Sequence, residues 1–368
     1  MDLTFSDEQR LLADGVGRFL DTQRDFQARQ AQLAAGTTLS PKVWQHLADQ
    51  GLLALPRAES AGGMGGTIAD VVAVAMRFGA SLLTEPYLAT VILSGAALEA
   101  AGTDEAHALL ADIASGTAVV SFAHEEDVSG APASQIGTTA VADGDAYVLN
   151  GTKALVLGAA EAHQIVVSAR CDSDIALFLV DVTANGVGID AFRTIDGRGA
   201  GRVHLDDVRL PARTLLVPHA EGVLDEIVAD AVIYLAAETV GAMDTLLRMT
   251  GSYAMTRQQF GVPIGSFQTI AHRLADMKIA VTKAQASLLY VTALREAGRA
   301  GPADISLLKA QTGRLGRSVA ESAVQTHGGV GMTDELAVGH LLKRILANDA
   351  LFGDAELHLR LLGAPSRV

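Results

Sequence analysis

Two groups of residues in the last third of the chain have the types and spacing to do chemistry. Glu238 stands in Ala236-Ala237-Glu238-Thr239-Val240-Gly241, a run that is otherwise small and apolar. A carboxylate there either pairs with a basic group on a neighbouring helix or faces a pocket. In a pocket, burial raises its pKa and suits it to take a proton from carbon. Further on, Arg257 supplies a planar guanidinium fork of the shape that grips pyrophosphate oxygens. Gln325 precedes Gly328, Gly329 and Gly331, which let backbone N–H groups approach a phosphate without side-chain obstruction. On residue type alone, Arg257 reads rather as a solvated helix-end charge and the glycines as helix caps.

Other clusters carry less. His124-Glu125-Glu126-Asp127-Val128 offers an imidazole and three carboxylates, but consecutive loop residues rarely converge on one ion. No second cluster of His or Cys accompanies it, so it reads as a solvated acidic loop and no metal is expected. Ala61-Gly62-Gly63-Met64-Gly65-Gly66 lacks the Gly-x-x-x-x-Gly-Lys-[Ser/Thr] pattern and no strand precedes it, which makes it a turn. His327 beside Gly328 reads as helix-end chemistry, with an interface role open beside it. Cys171 is the only cysteine, which removes disulfide frameworks and cysteine-rich metal sites.

The 368 residues include 28 Lys plus Arg against 42 Asp plus Glu, a formal charge of -14. Such a surface repels nucleic acid and anionic membrane, so neither is expected as a partner. A phosphate-bearing ligand then needs a local patch of Arg or backbone N–H groups working against the global field. A hydrophobic content of 49% with only 19% charged residues excludes intrinsic disorder. No run reaches the ~18 uninterrupted apolar residues of a membrane span. Met1-Asp2-Leu3-Thr4-Phe5-Ser6-Asp7-Glu8 is too acidic for a secretory signal. A soluble, cytoplasmic protein is expected.

The elements that must position these residues follow from periodicity. Ser6 with Gln9 has capping-box spacing, and Leu12, Val16 and Phe19 then recur on one helical face. Pro41 takes a first helical position ahead of Trp44, Leu47 and Leu52. Residues 68–82 and 90–115 are alanine-rich and helical in spacing, parted by Pro86. From Thr117 the pattern changes to short β-type runs, with a turn expected at Asn150-Gly151. From Glu221 the helical period returns over 222–257, 267–298, 303–327 and 336–352, as in a bundle. An α+β chain results: an N-terminal helical domain (1–116), a central β domain (117–215) and a C-terminal helical domain (216–368).

Three stretches carry a family pattern: Arg257-Gln258-Gln259-Phe260-Gly261-Val262-Pro263-Ile264-Gly265-Ser266-Phe267-Gln268, then His272-Arg273-Leu274-Ala275-Asp276-Met277, then Gln325-Thr326-His327-Gly328-Gly329-Val330-Gly331. With the helix–β–helix order, the chain resembles the acyl-CoA dehydrogenase family over nearly its whole length. The resemblance implies a β-barrel or sandwich in the middle and a four-helix bundle at the C-terminal end. It implies FAD at a subunit interface, with Arg257 on the pyrophosphate, Phe260 and Phe267 packing on the nucleotide, and Gln268 and Gln325 hydrogen-bonding it. The backbone at Gly328 and Gly329 is expected to contact phosphate. The implied reaction is α,β-dehydrogenation of an acyl-CoA thioester to the 2-enoyl-CoA, with an electron-transferring flavoprotein as acceptor.

The chain departs from that pattern where the flavin ring and substrate are handled. The family's Tyr-Glu-Gly-Thr base run corresponds to Leu351-Phe352-Gly353-Asp354-Ala355, which puts Phe352 or Gly353 at the Glu position. The base position used by other members, on the first bundle helix, falls on Ala231, and the usual substrate Arg on Val232. Asp354, Asp230 and Glu238 remain as carboxylates near these places, and Glu238 is the candidate base. The Trp-Ile-Thr run after Asn-Gly-x-Lys is replaced by Ala154-Leu155-Val156, and the Thr-Glu-Pro loop by His124-Glu125-Glu126. Phe352-Gly353-Asp354-Ala355 is similar to the small subunit of heterotetrameric members that act on steroid side chains, dicarboxylic or other unusual acyl-CoA esters. The resemblance therefore implies a subunit that helps bind FAD while a second dehydrogenase-like chain supplies the catalytic Glu. A self-sufficient homotetramer using Glu238, and a non-catalytic binding relative, are the alternatives.

Overall fold

The computed structural model describes residues 4–23, 25–126 and 136–363. Met1-Asp2-Leu3, Asp127 and Val128, named above, lie outside them. Helices α1 (Asp7–Gln23), α2 (Phe26–Ala34), α3 (Pro41–Asp49) and α4 (Ile68–Ala80) lead to a π-helical segment (Leu88–Ser94), α5 (Gly95–Ala101) and α6 (Asp104–Ala114). Strands β1 (Val120–Ala123), β2 (Thr139–Asp143), β3 (Ala146–Leu157), β4 (Gln164–Cys171), β5 (Asp174–Asp181), β6 (Val187–Arg193), β7 (Gly199–Pro211) and β8 (Leu215–Val217) follow. The chain ends in α7 (Glu221–Thr256), a small hairpin of β9 (Gln258–Gln259) and β10 (Val262–Pro263), α8 (Gln268–Glu296), α9 (Pro302–His327), α10 (Ala337–Ala350) and α11 (Ala355–Gly363). The order is helices, then strands, then helices. It divides into two compact units, one of Met1–Arg29, Ile68–Leu83 and Val232–Val368, the other of Gln30–Thr67 and Thr84–Ala231.

The first unit is helical apart from the β9–β10 hairpin. Ser6 and Gln9 exchange the two bonds of a capping box at 3.0 and 3.1 Å and start α1. α1 packs on α4, and α8, α10 and α11 pack on α9. α4 and α7 approach so closely that a Cβ on Gly79 would stand 1.9 Å from the Glu238 carbonyl oxygen, and one on Gly241 1.9 Å from that of Met76. Only glycine admits this contact, and it fixes α7 at the level of Glu238. The four long helices agree with the periodicity to within two residues at each end. α11 was not expected from the pattern.

In the second unit the strands form one hydrogen-bonded path, β6-β7-β3-β2-β4-β5-β8, with β1 alongside β4. Leu149 and Val156 of β3, Phe178 and Val180 of β5, and Val203 and Leu205 of β7 share one buried core although intervening strands separate them. The sheet is therefore curled around its own interior. Asn150-Gly151 is not a turn. β3 runs straight through it, with a bulge against β7. The Asn150 amide donates to Asp207 at 2.9 Å and its oxygen accepts from the Asp207 N–H at 2.9 Å, so the side chain serves the ladder. The hairpin turn lies earlier, at Gly144-Asp145, where Gly144 takes φ +65°. The expected helix over 90–115 also breaks, at Gly102-Thr103, because Gly102 adopts φ +61° and Thr103 caps α6.

Candidate functional site

α7 ends at Thr256, and Arg257 carries the chain into the β9–β10 hairpin. The hairpin turns on Phe260-Gly261, both in the left-handed region at φ +53° and +81°. That geometry is costly for a phenylalanine. It presents the Phe260 ring to solvent, 93% exposed, edge-on to Phe267 at 6.1 Å. Gln268 opens α8, with its amide 3.4 Å from His272 Nε2. The exposed Arg257 guanidinium makes no hydrogen bond or ion pair with any described residue. Gln325 is exposed near the end of α9, and Gly328 leaves the helix at φ +66°. A Cβ on Gly328 or Gly329 would meet nothing within 4 Å.

These residues fit the adenine nucleotide half of a flavin from one side only. The guanidinium is uncommitted among the described residues, the glycine backbone is open, and the Phe260 ring projects outward. Tyr253, one turn before Arg257, stacks on His327, the residue before Gly328, with ring centroids 4.4 Å apart. Arg257 and the glycine turn therefore belong to one end of the bundle. His327 itself is buried at the helix end, where its Nδ1 bonds the Ala323 carbonyl at 2.9 Å.

Glu238 is enclosed, at 2% exposure. Tyr234 donates to its Oε1 at 3.0 Å and the Asn348 amide to its Oε2 at 3.1 Å. The Arg344 guanidinium, fully buried on α10, lies 3.5 Å from Oε2 and also donates to the Leu83 carbonyl at 2.6 Å. Of the two environments the sequence left open, this is the paired one. The neighbouring candidates are spoken for as well. Ala231 and Val232 are completely buried. Asp354 caps α11 by accepting the Leu357 N–H at 2.8 Å. Phe352 and Gly353 form a left-handed turn at φ +56° and +88°, and a Cβ on Gly353 would meet Leu357 at 2.6 Å. The positive φ at Gly353 favours glycine there, and neither Phe352 nor Gly353 carries a group that can take a proton. His358 holds the turn: Nε2 donates to the Phe352 carbonyl at 3.0 Å and Nδ1 faces the Ser306 hydroxyl at 3.1 Å.

In the β unit the structure reveals a cluster that the motifs passed over. The Lys153 ammonium is completely buried, with Glu126 at 2.8 Å, the Ser168 hydroxyl at 3.2 Å and the His124 carbonyl at 3.3 Å. Glu126 also accepts the Gly137 and Thr138 N–H groups at 2.6 and 2.9 Å. Two members of the supposed solvated loop are thus structural, and His124 Nδ1 bonds Ser168 at 3.0 Å. The inward register of Lys153 on β3, among apolar neighbours, was the signal. Burial pulls Lys153 down to about 8 against the pull of Glu126. Burial pushes Glu126 up, but the Lys153 charge and the hydrogen bonds from Lys153 and Thr138 outweigh it and hold it at about 2. Burial, aided by the Lys153 charge, lowers His124 to about 4.

A pH effect on stability follows. The unfolded chain protonates its imidazole near 6.5, before the folded His124 does. His124 contributes full stability above about pH 6.5 and loses it as pH falls towards 4, in all about 3 kcal/mol. The stability advantage of the native chain over His124→Gln, read from denaturant midpoints, should shrink across that window. A pH-independent difference would remove the assignment.

Three family models match the chain: "Acyl-CoA dehydrogenase, N-terminal domain" over residues 6–117, "middle domain" over 121–208 and "C-terminal domain" over 228–365. A probable acyl-CoA dehydrogenase, YngJ, of Bacillus subtilis is 28% identical over 359 residues, 93% of each chain. Among solved structures, the ChsE4–ChsE5 complex from Mycobacterium tuberculosis superimposes with a TM-score of 0.92 at 27% identity over 100% of both chains. A Tcur3481–Tcur3483 steroid ACAD variant gives 0.87 at 28% identity over 97% of this chain and 96% of that one. Among the described residues, no helix is long and apolar enough to cross a membrane.

Proposed function

The chain belongs to the acyl-CoA dehydrogenase family, FAD-dependent oxidoreductases that act on the CH–CH bond of acyl-CoA esters, and we propose that it works as one subunit of a two-chain α2β2 assembly. In this reading the chain lends Arg257, Phe260, Phe267, Gln268, Gln325 and the Gly328–Gly329 backbone to a flavin whose ring sits against the partner. Bound FAD supplies the two-electron acceptor for the β-hydride. The α-proton goes to a carboxylate of the partner subunit, because this chain has Phe352 or Gly353 at the usual base position and engages Glu238 with Arg344.

The observation that carries the reading is the contrast between an open nucleotide face and an occupied set of carboxylates. Ring-side residues point the same way: Ala154, Leu155 and Val156 bring no indole or hydroxyl. The likeness to ChsE4–ChsE5, a complex, and to a steroid ACAD supports a heteromer acting on steroid side-chain or related fatty acyl esters. The assembly works in the cytoplasm and passes electrons to an electron-transferring flavoprotein. A self-sufficient homotetramer is the second reading, and it requires Glu238 to leave its ion pair.

The test is purification of the chain alone and with a co-expressed dehydrogenase-like chain, with visible flavin absorbance and mass in solution recorded for each. We expect a colourless protein alone and a yellow α2β2 complex when co-expressed. A yellow tetramer of this chain alone, with about one flavin per subunit, would overturn the two-chain reading.

A further inference from the structure

The proposed nucleotide contacts come from two segments far apart in the chain, the end of α7 and the end of α9. Nothing in their own side chains ties them together. The tie is one turn back. Tyr253 accepts the Arg257 N–H on its carbonyl at 2.8 Å, so Arg257 closes the last turn of α7 directly on Tyr253. The Tyr253 ring lies nearly parallel to the His327 ring, 25° apart in plane, and its hydroxyl donates to the His327 carbonyl at 3.5 Å. His327 is clamped in turn. Its Nδ1 bonds the Ala323 carbonyl, and the chain folds back so that a Cβ on Gly331 would stand 3.0 Å from the His327 Cβ and 3.1 Å from the Val324 carbonyl. Between them, Gly328 turns through a backbone conformation that favours glycine.

We infer that the Tyr253–His327 stack is the joint that sets the spacing between Arg257 and the Gly328–Gly329 backbone, making both rings positioning residues for the diphosphate of the flavin. The inference rests on the nucleotide reading proposed above. A diphosphate is held by several directional hydrogen bonds at once, so a shift of about 1 Å between its donors costs more affinity than the loss of local packing does. Two leucines would keep an apolar contact at this place. They would not hold a parallel contact, nor pin the last turn of α9 through an imidazole N–H.

The flavin-loaded assembly tests this, in whichever form it purifies. FAD dissociation constants, with ADP as a competing probe for the diphosphate half, are measured for Tyr253→Phe, Tyr253→Leu, His327→Leu and Arg257→Ala. The two leucine variants should bind FAD about tenfold more weakly and lose ADP competition in step, equivalent to one decade of affinity. Tyr253→Phe, which keeps the stack, should stay within about twofold. The flavin-free melting midpoints of the leucine variants should lie within about 2 °C of native. Unchanged affinity in the leucine variants, with Arg257→Ala weakened, overturns the joint and leaves the nucleotide reading standing. Unchanged affinity in all four variants overturns the nucleotide reading itself. Affinity lost in proportion to melting temperature makes the stack mere packing and also overturns the inference. Should a leucine variant fail to fold, hydrogen exchange on the native protein decides: FAD should protect residues 257–263 and 328–332 together, and protection of one segment alone overturns the coupling.

Discussion

Glu238→Gln should leave the turnover of the flavin-loaded assembly within a few-fold of native, while Glu238→Ala should cost the helical unit about 3–5 kcal/mol of stability. The asymmetry comes from the Arg344 guanidinium, which is completely buried beside the Glu238 carboxylate. Removing the carboxylate leaves an arginine charge with less compensation and no route to water, and the Asn348 amide and Tyr234 hydroxyl each lose one acceptor. Glutamine keeps an oxygen for Tyr234 but sets an N–H group against Arg344 and Asn348, so its cost should be smaller, about 1–3 kcal/mol. Denaturant unfolding reads the stabilities, and steady-state oxidation of an acyl-CoA reads the turnover. A catalytic base behaves differently: its amide loses about 10²–10⁴ in rate while the fold survives. That outcome would return the base to this chain and favour the homotetramer. Unchanged stability in Glu238→Ala would show that the buried pair is not what holds α7 to α10.

The long helices were legible because each repeats an apolar stripe over many turns, and a signal of that length outweighs local noise. The Ser6–Gln9 box and the Pro41 start of α3 were legible because helix-start chemistry is local. What failed depended on partners distant in the chain. Asn150-Gly151 has the composition of a turn, but Asp207 on β7 takes both bonds of the Asn150 side chain and keeps the strand running. Glu126 looked like a solvated acid until Lys153 on β3 was brought beside it by the register of the sheet. Glu238 was read from its neighbours as buried or pocket-facing, and only the packing of α10 supplies Arg344 and decides between them. Arg257, Phe260 and the Gly328–Gly329 turn are a different case: they are exposed, with few partners among the described residues, so packing within the chain neither supports nor replaces the role that the family pattern implies for them.

That independence makes Arg257→Ala the more selective of the large effects. The side chain is exposed and has no ion-pair partner among the described residues, so its loss should leave unfolding midpoints unchanged to within about 0.5 kcal/mol. FAD retention should nevertheless fall roughly 10- to 100-fold, the range expected for one charge-assisted, bidentate contact to a phosphate. Arg257→Lys should recover only part of it, because an ammonium is a point charge without the planar fork. The background field sharpens the effect. With a formal charge of -14 the chain as a whole repels an anionic nucleotide, so a single arginine facing the diphosphate carries more of the attraction than it would on a neutral surface. Raising salt screens both terms and should narrow the gap between the native and Ala assemblies. Flavin remaining after gel filtration, measured by absorbance at low and high salt, reads all of this in one series. Equal flavin content in the native and Ala proteins at low salt would take the diphosphate away from Arg257.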